Sequence, residues 1–414
     1  MCKGIVWQRN VLCNGLRVLY FPKVSANTVQ LAVAVEFGSN NEVKAEAGVA
    51  HFLEHMLAGG SEERIQKSRS IEGYGGSLNF YTDHEYTMSF ADVLPESLPQ
   101  TAKVLSELLF DASFEEEKFV SEREIILHEL AEELDNPSAL INELFLKNLF
   151  RGQHPVSRPI GGYPKTLNQL KLCQLEAIHT SAYEPQNMIL ILIGNLSNIQ
   201  VREALRPFED KSNQQKRVTK QFCLHKTVKS YKKVTKCKRG ITQAYVNIGA
   251  RTVNTKNVDA PKLDLISLML GGGASSRLFI ELREKRTLTY DVAAGHLNGL
   301  NFGYLNIGCA VKNANVDQVQ RLIFEELSKL RTEKVLEEEL ERSKKLMLKS
   351  ILRGIDSPDS CQDILAYMEI QHNHENALTN YLNEIKGVTT ADILNVAQTY
   401  LQEDQLVTAV LKSK

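Results

Sequence analysis

Residues 51–61 read HFLEHMLAGGS, and residues 263–275 read LDLISLMLGGGAS. In the first stretch Val49, Phe52, Leu53 and Met56 recur at the i, i+3, i+4, i+7 spacing of a helix that lays one face on a core. Gly59-Gly60 then stop the pattern, as glycine does at a helix C-terminus. The second stretch is again an apolar helix ended by glycines. A strand precedes each helix. Residues 28–39, TVQLAVAVEFGS, alternate Val29, Leu31, Val33, Val35 and Phe37 with smaller or polar residues, and residues 241–250 read ITQAYVNIGA. Both halves also close alike, with Tyr183 leading into NMILILIGNL and Tyr400 into QLVTAVL. The chain therefore reads as one design used twice.

Around these anchors the pattern predicts strands at Tyr86–Leu94 and Met188–Ile193, and helices around Leu98–Leu109, Ser121–Leu134 and Leu140–Leu149. The N-terminus, MCKGIVWQRNVLCNGLRVLYFP, reads as two strands joined at Asn14-Gly15, a strong hairpin dipeptide. The expected fold is α+β, with two homologous lobes, each a mixed, largely antiparallel sheet covered by helices. The expected divisions are 1–210, a linker and first strand region at 211–239, and 240–414. Residues 211–239 hold eleven Lys or Arg and no Asp or Glu, which reads as a solvated basic linker because aromatic interleaving is sparse.

The composition bounds the function. A length of 414 residues suits two domains. A net charge of -1 argues against nucleic-acid and anionic-membrane partners. Seven cysteines without a CxxC pair read as reduced thiols. No apolar run reaches the ~18–20 residues that span a bilayer. The expectation is a cytoplasmic protein.

With 10 histidines in the whole chain, two stand four apart with a glutamate just before the second. His51, Glu54 and His55 share one helix face. Two imidazoles on successive turns make half of a tetrahedral zinc site, and a carboxylate beside them can take a proton from water. Matching the glycine stops sets Asp264, Ser267 and Leu268 opposite this trio, so the second lobe keeps the architecture and lacks the metal-binding set. Zinc needs a third protein ligand. The acidic stretch SEREIILHELAEELDNP, residues 121–137, offers Glu129, Glu132, Glu133 and His128, and spacing alone leaves them open.

The chain resembles the inverzincin zinc peptidases of the pitrilysin, insulin-degrading enzyme and mitochondrial processing peptidase family, in a short two-lobe form. Their pattern is HxxEH followed some seventy residues later by an E-R-x(5)-E helix. HFLEH and EREIILHE fit it, and GSNNEVKAEAGVAHFLEHMLAGGS, GGSLNFYTDHEYT, YEPQNMILILIGN and SSRLFIELREKRTLTY extend the similarity over nearly the whole chain.

The resemblance implies a zinc metalloendopeptidase with one Zn2+ per chain, held by His51, His55 and Glu129. Glu122 then orients a ligand histidine and Glu54 is the general base. Asn79, Phe80, Tyr81 and Thr82 lie on a strand similar to the family's active-site edge strand and are expected to contact an extended peptide. Phe80 stands where the family often has a small residue. Arg283 and Tyr290 resemble the family's arginine–tyrosine pair, Arg283 for a peptide carbonyl and Tyr290 for the developing oxyanion; Thr287 and Thr289 replace smaller residues beside them.

The expected substrate is a peptide or unfolded segment, cut in a closed chamber. The expected assembly is a homodimer whose site is completed in trans, with a heterodimer of homologous subunits as the variant. The competing reading is a non-catalytic scaffold or partner subunit of the same fold, which has no need of an intact His51, Glu54, His55 and Glu129 set.

Overall fold

The computed structural model describes residues 5–111, 113–211 and 231–414. Eleven described strands form two sheets. The first contains β1 (Gln8–Val11), β2 (Arg17–Pro22), β3 (Val29–Val35), β4 (Ser77–Thr82), β5 (Thr87–Val93) and β6 (Met188–Gly194), in the order β1-β2-β6-β3-β5-β4. The second contains β7 (Lys232–Lys238), β8 (Ala244–Arg251), β9 (Thr289–Asn298), β10 (Gly303–Val311) and β11 (Val407–Ser413), in the order β7-β11-β8-β10-β9.

Setting aside β1, the two orders are the same. In each, the first and last strands pair in parallel, β2 with β6 and β7 with β11, while all other pairs are antiparallel. The repeat read from glycine stops and closing strands is thus a repeat of topology, and both sheets are mixed and mostly antiparallel as expected. β3 and β6 are buried along their whole length, which is why they read as near-continuous apolar runs. β7 lies at a sheet edge and carries four lysines, a composition that blunts an exposed edge. Most of the basic stretch, residues 212–230, lies outside the described residues.

The chain folds as two compact units, neither of them contiguous in sequence. The divisions expected at 210 and 240 separate the sheets, but two helical segments cross them. One unit comprises Met1–Ala131, Arg158–Gln221 and Gly354–Glu375. In it, helix Pro358–His372 from the second half of the chain serves the first sheet. Glu369 receives a two-pronged contact from Arg9 at 3.0 and 2.9 Å, and Gln362 accepts from Gln30 at 2.9 Å. The other unit comprises Glu132–Ser157, Phe222–Arg353 and Asn376–Lys414. It takes helix Pro137–Leu149 from the first half, which buries Leu140, Ile141, Phe145 and Leu146 with Tyr304, Val407 and Leu411. Polar residues buried on helix Pro358–His372 (Gln362, Glu369, Gln371) hide this pairing from a reading based on apolar periodicity.

In the first unit, helices α1 (Val49–Gly59), α2 (Glu62–Gly73), α3 (Leu98–Phe110) and α4 (Glu116–Asp135) surround the core that positions the site. The stripe predicted on α1 is buried: Val49, Phe52, Leu53 and Met56 are all 0% exposed. Burial of each such side chain contributes roughly 1.5–3 kcal/mol. Arg64 on α2 is also buried and gives its donors to the carbonyls of Leu57, Leu108 and Asp111, supplying partners that the C-terminal ends of α1 and α3 lack.

Candidate functional site

Helix α1 begins at Gly48, whose φ of 98° is left-handed and whose hypothetical Cβ would lie 2.5 Å from the Gly161 carbonyl oxygen. Glycine is required there on both counts. The carboxylate of Glu42, itself 5% exposed, accepts from the Gly48 amide at 3.0 Å and the Ala50 amide at 2.9 Å. This caps the positive end of the helix that carries His51, Glu54 and His55. Nothing in the sequence pattern marks Glu42, because a loop residue nine positions before His51 obeys no periodic rule.

Helix α4 is brought to α1 by an aromatic contact: the rings of Phe52 and Phe119 stack with centroids 4.8 Å apart and planes within 1°. Phe119, Ile126 and Leu130 are its buried residues. Glu122 and Glu129, each three residues beyond a buried one, lie beside that face, whereas His128, Glu132 and Glu133 are exposed. The open choice in the acidic stretch is thereby narrowed. His51, His55 and Glu129 offer donor atoms that all lie within 4.8 Å of one another. Glu129 Oε2 is 3.8 Å from His51 Nε2 and 3.4 Å from His55 Nε2.

Ligands ~2.0–2.1 Å from a tetrahedral zinc stand roughly 3.3 Å apart, so the spacing and the N, N, O donor set fit such an ion. Glu122 Oε2 is 3.1 Å from His55 Nδ1, which fixes that ring and leaves Nε2 as its donor.

The electrostatics suit the same arrangement. Burial, helped by His55, pulls His51 down to about 4, so its lone pair is free at neutral pH. Burial also pulls on His55, but the hydrogen bond to Glu122 and the charges of Glu54 and Glu129 outweigh it and raise that imidazole. A divalent cation would take the place of this proton. Burial holds the Glu54 carboxyl above its ordinary range, toward the pH at which a general base works best.

Of the four residues expected to contact substrate on β4, Thr82 donates to Glu54 Oε2 at 2.9 Å, so it holds the proposed base. Phe80 borders the space beside Glu54 and His55. Tyr81 hydrogen-bonds to Asp363 and packs edge-on against Tyr86 and Phe90, so its side chain is committed within the fold. Asn79 is exposed on the same strand, the last in its sheet.

Residues 17–162 match the model of the family described as "Insulinase (Peptidase family M16)", and residues 169–347 match that of the "Peptidase M16 inactive domain". The chain belongs to peptidase family M16. A protein of Mycobacterium tuberculosis called an uncharacterized zinc protease is 28% identical over 94% of this chain and 90% of its own length. Among solved structures, a protease from Helicobacter pylori superposes with a TM-score of 0.91 at 22% identity, covering 98% of this chain and 99% of that one. A peptidase M16 inactive domain from Pseudomonas fluorescens gives a TM-score of 0.88 at 19% identity, covering 99% and 98%.

The second unit holds a polar cluster around Asp264. Asp264 accepts from Tyr381 at 2.8 Å and lies 2.7 Å from His296 Nδ1. A closed hydrogen-bond cluster thus stands where the sequence repeat had set Asp264 opposite His51. The same unit carries Arg283 and Tyr290. The guanidinium of Arg283 lies between the rings of Phe279 and Tyr290, 4.7 and 4.5 Å from their centroids, and Tyr290 is 81% exposed. Thr287, just before it, has φ 53°, a conformation that glycine adopts freely and a β-branched residue rarely does. No helix among the described residues is long and apolar enough to cross a membrane.

Proposed function

We propose that this M16 protein is a zinc metalloendopeptidase that hydrolyses peptides or unfolded segments, with one zinc held by His51, His55 and Glu129. The observation that carries the reading is Glu54: a half-buried carboxylate held by Thr82, with Oε2 3.9 Å from His51 Nε2, beside a complete set of three donors. A scaffold needs neither a ligand set nor a base beside it, and this disfavours the non-catalytic reading for the first unit.

When bound, zinc supplies a Lewis acid and lowers the pKa of water toward ~7. The chain's own residues do the rest. Thr82 donates to Glu54 Oε2 and fixes the carboxylate, which accepts the proton of the attacking water. Glu54 then returns that proton to the departing amine. Glu122 keeps His55 in the orientation that presents Nε2. The outer edge of β4 offers backbone groups to an extended peptide. Arg283 and the exposed Tyr290 supply donors for the peptide carbonyl and its developing charge. Their place on the second unit of a two-lobe chain supports a homodimeric chamber in which one chain completes the site of the other.

Metal content and peptide turnover of wild type, Glu54→Gln and Glu129→Gln test the proposal. Glu54→Gln should keep zinc and lose turnover, and Glu129→Gln should lose affinity for zinc as well. Full activity after exhaustive chelation, or zinc retained in Glu129→Gln with activity intact, would refute it.

A further inference from the structure

Beside Glu54 and His55 lies a cavity of about 330 Å³ with a mixed lining. Ala58, Ile65 and Phe80 give it apolar walls, and its charged side chains are Glu54, Glu122 and Arg69 beside His55. Both carboxylates are engaged, Glu122 by His55 and Glu54 by Thr82. Arg69 is not. On the same helix, Lys67 pairs with Glu63 at 2.8 Å and Glu107 at 2.9 Å, and Arg64 is spent on backbone carbonyls. Arg69 is exposed and makes no ion pair or hydrogen bond among the described residues. An arginine that lines the same cavity as the proposed base, without a counter-charge of its own, is half of a recognition pair.

We infer that this cavity receives the side chain of the substrate residue adjoining the bond to be cut, and that Arg69 makes it select an acidic side chain, glutamate above all. The inference rests on the peptidase reading. Glutamate has two methylenes to lie along Ala58, Ile65 and Phe80, and its carboxylate matches the planar fork of an arginine, which is weakly hydrated and binds carboxylates in two-pronged fashion. Lysine brings a second cation to Arg69. Leucine fills the apolar part and leaves the guanidinium uncompensated.

The test uses the zinc-loaded full chain and four internally quenched peptides that differ only by Glu, Gln, Leu or Lys beside the scissile bond, with the cut mapped by mass spectrometry. Wild type should prefer Glu to Lys in kcat/KM by about tenfold, the worth of one charge-assisted pair. Arg69→Gln should bring that ratio near one, and Arg69→Glu should invert it. Each ratio is taken within one enzyme preparation of measured zinc content, so a loss of folded protein cannot mimic the result. A Glu-to-Lys ratio equal in wild type and Arg69→Glu, while peptides are still cut, overturns the inference and leaves the peptidase reading standing. A uniform preference for large apolar residues in all three proteins does the same. Zinc-loaded wild type that cuts none of a broad peptide set overturns both.

Discussion

Substituting Gly59 by alanine should weaken metal binding without touching a ligand. Gly59 is the last residue of α1, and a Cβ built on it lies 2.5 Å from Glu122 Oε1. To reach an ordinary contact of 3.4 Å, that oxygen must retreat by about 0.9 Å (3.4 minus 2.5). A carboxylate that moves as a rigid group by that distance stretches its 3.1 Å contact with His55 Nδ1 to as much as about 4.0 Å, past hydrogen-bond range. Losing the partner that orients a metal-ligating histidine typically costs 10- to 100-fold in metal affinity, or roughly 1.4–2.7 kcal/mol. The helix itself should not suffer, since alanine is the better helix former by up to ~1 kcal/mol.

Zinc affinity is measured by competition with a chromophoric chelator, with thermal melts in EDTA as the control. The expected result is a tenfold or greater loss of affinity in a chain at least as stable as wild type. In a Glu122→Ala background the clash has no object, so adding Gly59→Ala should change affinity little, a non-additive cycle. An affinity within about twofold of wild type, or an undiminished effect in the Glu122→Ala background, would show that Glu122 does not orient His55 for the metal.

Three further outcomes are expected. Thr82→Val should lower kcat by about ten- to hundredfold with little change in KM, because a hydrogen bond to a charged group is worth roughly 1.5–3 kcal/mol, and Thr82→Ser should restore most of it; unchanged kcat in Thr82→Val counts against a held base. His179 is 3% exposed and contacts the Leu109 carbonyl through Nε2 at 2.9 Å, and burial pulls it down to about 4. The unfolded chain therefore binds a proton below ~6.5 that the folded chain refuses until about 4, so stability should fall as pH drops through that window, by on the order of 3 kcal/mol. Urea midpoints in EDTA should show a steeper decline between pH 7 and 4 in wild type than in His179→Gln, and parallel declines would dismiss the effect. Finally, mixing Glu54→Gln with the double variant Arg283→Ala, Tyr290→Phe should yield heterodimers with one intact site and up to roughly half of wild-type activity; subunit exchange proven by mass spectrometry without recovered hydrolysis would refute completion in trans.

The sequence alone carries what depends on local spacing. It placed His51, Glu54 and His55 on one helix face, because residues three and four apart meet on successive turns. It also announced the repeated lobe, because strand alternation and glycine stops are local signals that recur. Folding settles what depends on residues distant in the chain. Spacing on helix α4 does not distinguish Glu129 from Glu132 or Glu133, which only the family resemblance did; the stack of Phe52 on Phe119 sets the rotation of α4 and brings Glu129 beside His51 and His55. It set the hydroxyl of Thr82, a residue expected to touch substrate, on Glu54 Oε2, since the face that a β4 side chain presents is set by its pairing with β5. It assigned helix Pro358–His372 to the first unit through buried polar contacts that no hydrophobic pattern encodes. It likewise revealed Glu42 and Gly59: the loop before α1 folds back to set the Glu42 carboxylate 3.0 and 2.9 Å from the Gly48 and Ala50 amides, and α4, distant in the chain, brings Glu122 against Gly59; a periodicity reports which face is apolar, and only packing determines what that face meets.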